Sequence, residues 1–142
     1  MRYAYPVELD PDEDGRIVVS FRDVPGALTG GADAEEALRE AQDCLICALG
    51  GYIELNRAIP EPSLAGRRPV VHVPPLVAAK LALYEAMREQ GLTNTALTER
   101  LGVTEAVVRR LIDLDHRSHI GQVEKALALL GKRLVVEVLE AA

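Results

Sequence analysis

The sequence predicts an α+β fold: a small β-sheet with one packed helix, followed by an all-α region. Three observations carry this. β-branched runs separated by turn residues fill the first thirty positions. One long amphipathic helical pattern follows them. From Leu76 to Leu130, apolar residues recur at helical spacing, in short segments closed by glycine or opened by threonine. Hydrophobic residues make up 49% of the 142, enough for a core, while aromatics are 4% and Trp is absent, so the core is aliphatic.

Tyr3–Leu9 is β-prone, Asp10–Arg16 (DPDEDGR) has turn composition, and Ile17–Phe21 (IVVSF) is β-branched and aromatic. Together they predict a β-hairpin with a loop longer than two residues. Pro25-Gly26 turns the chain, Ala27–Gly30 adds a third short strand, and Gly30-Gly31 is expected to free the backbone for the bend into a helix. Asp33 with Glu36 three residues on forms a capping box. Apolar residues at Ala37, Ala41, Cys44, Leu45, Ala48, Leu49 and Tyr52 extend that helix to about Leu55. Pro69–Pro74 (PVVHVP) predicts a fourth strand, which completes a unit over residues 1–75.

Residues 76–142 form the second predicted unit. Helices are expected over Leu76–Gln90, from Thr93 or Asn94 to Leu101, from Thr104 to about Asp113, and over Ile120–Leu130, with Gly91, Gly102 and Gly131 as breaks. Arg133–Leu139 alternates weakly and is a candidate strand for pairing between two copies of the chain.

Charge divides unevenly. Residues 1–66 hold 13 acidic and 5 basic residues, residues 67–142 hold 9 and 11, and the whole chain is at −6. An acidic front repels nucleic acid and suits a basic protein partner, whereas the back can approach phosphates. No apolar run is long enough for a membrane span, and the N-terminus lacks a signal-peptide pattern, so a cytoplasmic, membrane-free protein is expected.

The segment Asn94–Ile112 (NTALTERLGVTEAVVRRLI) carries the strongest local signal. Leu97, Thr98, Leu101, Val103, Val108 and Leu111 place small or apolar side chains on the facing sides of two short helices, with Gly102 in the turn. The second helix then presents Thr104, Glu105, Ala106, Arg109 and Arg110 outward, where two arginines can meet phosphates or guanine edges. Thr104 at the helix start can meet a phosphate through its hydroxyl and neighbouring N–H groups. Asn94 at the start of the first helix, and Arg117 and Ser118 before the last helix, complete the expected DNA-contacting set.

Catalytic constellations are not expected. Asp10, Asp12, Glu13 and Asp14 lie in one turn, whereas a metal-dependent nuclease needs carboxylates converging from several elements. Asp23 is read as a turn-forming residue. Cys44 and Cys47 form a C-x-x-C within a helix, without the helix N-terminus a reactive thiol needs. Zinc would need two more ligands, and His72, His116 and His119 are distant in sequence from the two cysteines, so both cysteines are expected to be packing residues, with no metal or other cofactor. Neither G-x-S-x-G nor a P-loop occurs.

Residues 3–63 resemble the HicB antitoxin family. The carriers are the opening Tyr-Pro region, the acidic hairpin turn with glycine, "FRDVPG", "TGG", the "ADAEEALREA" helix start and "IPEPS". Residues 77–131 resemble the Cro/repressor type of helix-turn-helix that some HicB antitoxins carry. The resemblance implies a non-enzymatic antitoxin of a type II toxin–antitoxin pair. Its front domain would have a partial ribonuclease H-like fold and mask the catalytic histidine of a HicA toxin, a small basic RNA-cleaving protein. Its back domain would bind operator DNA and repress its own operon, as a homodimer or higher homo-oligomer. This chain has Ala27 where the family often has cysteine. A stand-alone transcriptional regulator whose front domain senses a small ligand is the alternative; it would carry a deep apolar pocket in the front unit.

Overall fold

The computed structural model describes residues 2–141. The chain divides into two compact units, Met1–Pro74 and Pro75–Ala142.

The first unit contains strands β1 (Ala4–Pro6), β2 (Glu8–Pro11), β3 (Ile17–Ser20) and β4 (Leu28–Gly31), helix α1 (Ala34–Glu54) and strand β5 (Val70–His72). The run expected as one strand over Tyr3–Leu9 is two. β1 pairs antiparallel with β5, in the register Tyr5↔Val71, and β2 joins β3 and β4 in a second, three-stranded antiparallel sheet. The run changes partner between Pro6 and Glu8: Pro6 is the last residue paired with β5, at Val70, and Glu8 the first paired with β3, at Ser20. The Val7 N–H between them still donates toward the β5 side, to the Pro69 carbonyl at 2.9 Å.

The acidic hairpin loop is closed by its own first carboxylate. Asp12 Oδ1 accepts from the N–H groups of Asp14 (2.8 Å) and Arg16 (2.9 Å), and Gly15 takes a left-handed φ of 79°. Among the described residues, no three His, Cys, Asp or Glu side chains are grouped to hold a metal ion.

The double glycine does something other than free the backbone. Both residues lie in β4, and neither has positive φ. A Cβ on Gly30 would stand 2.7 Å from the Ile17 carbonyl oxygen, and one on Gly31 would stand 2.5 Å from the Ala37 nitrogen. Glycine is needed because the strand passes directly against its neighbour and against the first turn of α1. That turn is capped as expected: the Glu36 N–H donates to Asp33 Oδ1 (2.8 Å), and Glu36 Oε2 accepts from the Ala32 N–H (3.0 Å). Ala37, Ala41, Leu45 and Leu49 form the buried stripe.

The expectation that both cysteines are packing residues fails for Cys47, which is exposed; Cys44 is half-buried, and both are free thiols. The buried stripe advances in steps of four from Ala37, which leaves Cys47 on the opposite side of the helix. Burial pushes the Cys44 thiol pKa up, a backbone hydrogen bond at Leu28 opposes this, and Cys47 adds a smaller push upward. Asp23 is more than a local turn residue. Its Oδ2 accepts from both the N–H (2.9 Å) and the hydroxyl (3.0 Å) of Ser63, tying down a loop 40 residues away. Arg68 Nη2 donates to the Leu64 carbonyl (2.7 Å) and the Ser63 hydroxyl (3.3 Å) in the same loop.

The second unit contains α2 (Pro75–Glu89), α3 (Asn94–Leu101), α4 (Glu105–Ile112) and α5 (Ile120–Leu129). Its core joins Ala79, Leu83 and Met87 of α2, Leu97 of α3, Val108 and Leu111 of α4, and Val123, Ala126 and Leu127 of α5, among others. Each of these helices is too short to be stable alone, so shared burial holds them. The candidate strand Arg133–Leu139 forms no strand within the chain. Leu134 packs against the core, while Val135, Val136, Val138 and Leu139 are exposed. A strand needs a ladder of backbone hydrogen bonds from a neighbouring segment, and among the described residues no segment provides one.

Candidate nucleic-acid interface

α3 and α4 are joined by the three residues Gly102, Val103 and Thr104. Gly102 ends α3 in the left-handed region (φ 68°, ψ 33°), its N–H donating to the Thr98 carbonyl at 3.0 Å. This reverses the chain within one residue, which glycine does without strain. Thr104 then caps α4: its Oγ1 accepts from the Val107 N–H at 3.4 Å. Thr93 does the same for α3, accepting from the Ala96 N–H at 3.1 Å.

The sequence of α4, EAVVRRLI, sorts its faces by spacing alone. Val108 and Leu111 are buried, Ala106, Val107 and Ile112 are half-buried, and Glu105, Arg109 and Arg110 are exposed, as is the cap Thr104. Ala106 is therefore not on the fully open face, as expected from sequence, but at its margin. Asn94 is half-buried in the first turn of α3, and its carbonyl accepts from the Thr98 hydroxyl at 2.8 Å.

Arg117 is exposed in the loop before α5. Ser118 is turned inward: its Oγ accepts from Lys80 Nζ (2.9 Å), lies 3.3 Å from the Arg110 carbonyl it donates to, and is 3.0 Å from His116 Nδ1. His119 occupies the N-cap of α5 without a side-chain cap hydrogen bond. The structure thus brings Ser118 to the backbone of Arg110, while Asn94 and Thr104 serve the separate starts of α3 and α4.

Lys80 is the residue sequence reasoning passed over. It sits on α2 with no exposed surface and reaches the last turn of α4, its C-cap and the following loop at once. The signal was a single charge inside VAAKLALYEAM, at a position where the helical spacing of Val77, Leu81 and Tyr84 predicts burial.

The unit boundary also revises the charge argument. Divided after Pro74, the first unit holds 13 acidic and 7 basic residues, and the second holds 9 of each. The second unit is therefore neutral overall, because Arg67 and Arg68 belong to the first. Any attraction to phosphate rests on where its cations stand, with Arg109, Arg110 and Arg117 exposed on α4 and the loop after it.

Comparison with known proteins places the chain. Residues 4–82 match the model of the HicB-like antitoxin of bacterial toxin–antitoxin systems. The chain is 41% identical over 134 residues to Antitoxin HicB 1 of Photorhabdus laumondii, covering 94% of this chain and 86% of that protein. It is 39% identical over 131 residues to Antitoxin HicB of Escherichia coli K12, covering 92% and 95%. It is 36% identical over 138 residues to Antitoxin HicB of Pseudomonas fluorescens, covering 96% and 94%. No helix among the described residues is long and apolar enough to cross a membrane. With the sheet-and-helix unit, the family match and relatives aligned over nearly their whole length all in agreement, this chain belongs to the HicB-like antitoxin family of bacterial toxin–antitoxin systems.

Proposed function

We propose that the protein is a cytoplasmic, non-enzymatic antitoxin with two tasks: its first unit neutralises a HicA-type RNA-cleaving toxin by direct binding, and its second binds operator DNA and represses its own operon. The observation that carries the DNA reading is the disposition of α4. A left-handed glycine turn and a threonine cap set its start, Val108 and Leu111 bury one side, and Arg109 and Arg110 stand on the open side. This disposition supports reading α4 as the recognition helix of a helix-turn-helix. The net −6 of the first unit supports a cationic protein partner there, since opposite charge speeds and orients encounter.

Operator binding would use two copies of the chain, because one short helix reads few base pairs and two-fold pairing doubles the site. The exposed apolar tail over Val135–Leu139 is the segment we assign to that pairing. Deleting residues 132–142 is expected to yield monomers with weak operator binding; unchanged mass in solution counts against the assignment.

The DNA reading is tested by titrating an operator duplex at two salt concentrations. Arg109→Ala with Arg110→Ala should weaken binding and lower the salt slope by about 4 for a two-copy complex, roughly one for each of the two phosphate contacts removed per copy. Identical affinity and slope would show that α4 does not face the DNA. The toxin reading is tested by co-expressing the chain with the neighbouring reading frame and purifying on a tag; recovery of no small cationic ribonuclease would remove it.

A further inference from the structure

The helical unit buries one full charge. Lys80 has no exposed surface, and Val77, Ala79, Leu81 and Leu83 around it on α2 are equally buried and apolar. Its Nζ lies 2.7 Å from the Arg110 carbonyl oxygen, 2.7 Å from that of Asp113, 2.8 Å from that of His116 and 2.9 Å from Ser118 Oγ. Four oxygens surround Nζ, three of them carbonyls that only accept, and the three N–H donors of an ammonium are shared among the four. A neutral amine would bring only two donors to the same three carbonyls. Methionine, similar in length, could fill the same slot, so volume alone does not require a charge there.

The acceptors are not scattered. The Arg110 carbonyl is among the last of α4; besides Lys80 it accepts from the Asp113 N–H and the Ser118 hydroxyl, each at 3.3 Å, and a cation at that end also suits the helix dipole. Asp113 is the C-cap of α4, and its Oδ1 accepts from the Asp115 N–H at 3.0 Å. His116 and Ser118 lie in the loop that carries Arg117 into α5. One side chain on α2 therefore fastens the end of α4, its cap and the following loop, the segments that bear the exposed arginines. Burial pushes the Lys80 pKa down, and the carboxylates of Asp113 and Asp115 oppose that push.

We propose that Lys80 is a positioning residue for DNA recognition: its ammonium sets the angle of α4 and fixes Arg117 relative to Arg109 and Arg110. The inference rests on the DNA-binding reading above. Being wholly enclosed, Lys80 contributes through geometry and makes no phosphate contact of its own. Its loss should therefore damage the choice of sequence more than the attraction to DNA in general.

The test uses the full chain with Lys80→Met and Lys80→Arg, titrated with the operator duplex and with a scrambled duplex of equal length, at two salt concentrations. Lys80→Met should lose tenfold or more in operator affinity, keep its affinity for the scrambled duplex, and keep its salt slope. Amide exchange should quicken over residues 110–118. Lys80→Arg should fall between the two proteins, because a planar guanidinium keeps the charge but does not match three converging carbonyls. It carries the test if the methionine variant fails to fold. An unchanged operator-to-scrambled ratio in the folded variants would overturn the inference, as would a reduced salt slope, which marks a direct phosphate contact. If the unsubstituted chain shows no preference for the operator, the DNA-binding reading itself fails and takes this inference with it.

Discussion

Gly31 and Gly102 mark the contrast between the two units. At Gly31 the backbone is ordinary and the space is closed: an added Cβ would meet the Ala37 nitrogen at 2.5 Å. At Gly102 the space is open and the backbone is unusual, with φ 68° and nothing within 4 Å of an added Cβ. Gly31 is needed for contact between elements, and Gly102 for chain direction. Both look alike in a sequence, as glycine just before a helix start, but they fail differently when replaced.

The largest expected effect follows from the closed site. Gly31→Ala forces β4 and α1 apart, and overpacking of that kind costs about 3 kcal/mol. Urea unfolding followed by amide exchange should show the loss in the first unit. Gly102→Ala strains only its own backbone, by about 1.5 kcal/mol, and the loss should appear in the second unit. If Gly102→Ala proves the costlier change, the contrast is wrong. Next comes Asp33→Ala, which removes the cap of α1 and should cost about 1 kcal/mol in the same measurement.

The smallest effect concerns pH. Lys80 in the folded chain has a pKa below its ordinary 10.5. The folded chain thus gives up this proton at a lower pH than the unfolded chain does. Stability of the second unit should rise with pH across the interval between those two values, and be lower beneath it. Lys80→Met should abolish that rise; a rise of equal size in the variant would assign it to other groups.

How much of this was legible in the sequence depended on whether a feature was local. Caps, turns and helical spacing are local, and Asp33, Thr104 and Gly102 took the roles their neighbours predict. The helix ends fell within about a residue of expectation for the same reason. Contacts between distant segments leave no local mark. Nothing around Asp23 announces Ser63, and the division at Pro6 depends on which strand lies on which side of it. The tail Arg133–Leu139 has strand-like residues but no pairing segment within the chain. For the candidate interface, the exposed face of α4 was readable from its period. The inward turn of Ser118 was not, because it depends on a lysine 38 residues away in sequence.

Charge offers a second contrast between the units. The first carries a net charge of −6, whereas the second is neutral overall with exposed arginines on α4 and the loop that follows. Net charge alone favours a cationic partner for the first, whereas attraction of an anionic partner to the second depends on where its cations stand.

The central claim is that the two tasks reside in separate units, and one variant tests it most directly. Arg109→Ala with Arg110→Ala is assayed both for operator binding and for rescue of growth in cells expressing the cognate toxin, with both proteins under a foreign promoter so that repression plays no part. The account predicts operator affinity lost and rescue unchanged. Rescue lost together with DNA binding, in a variant that is folded and equally abundant, would contradict it.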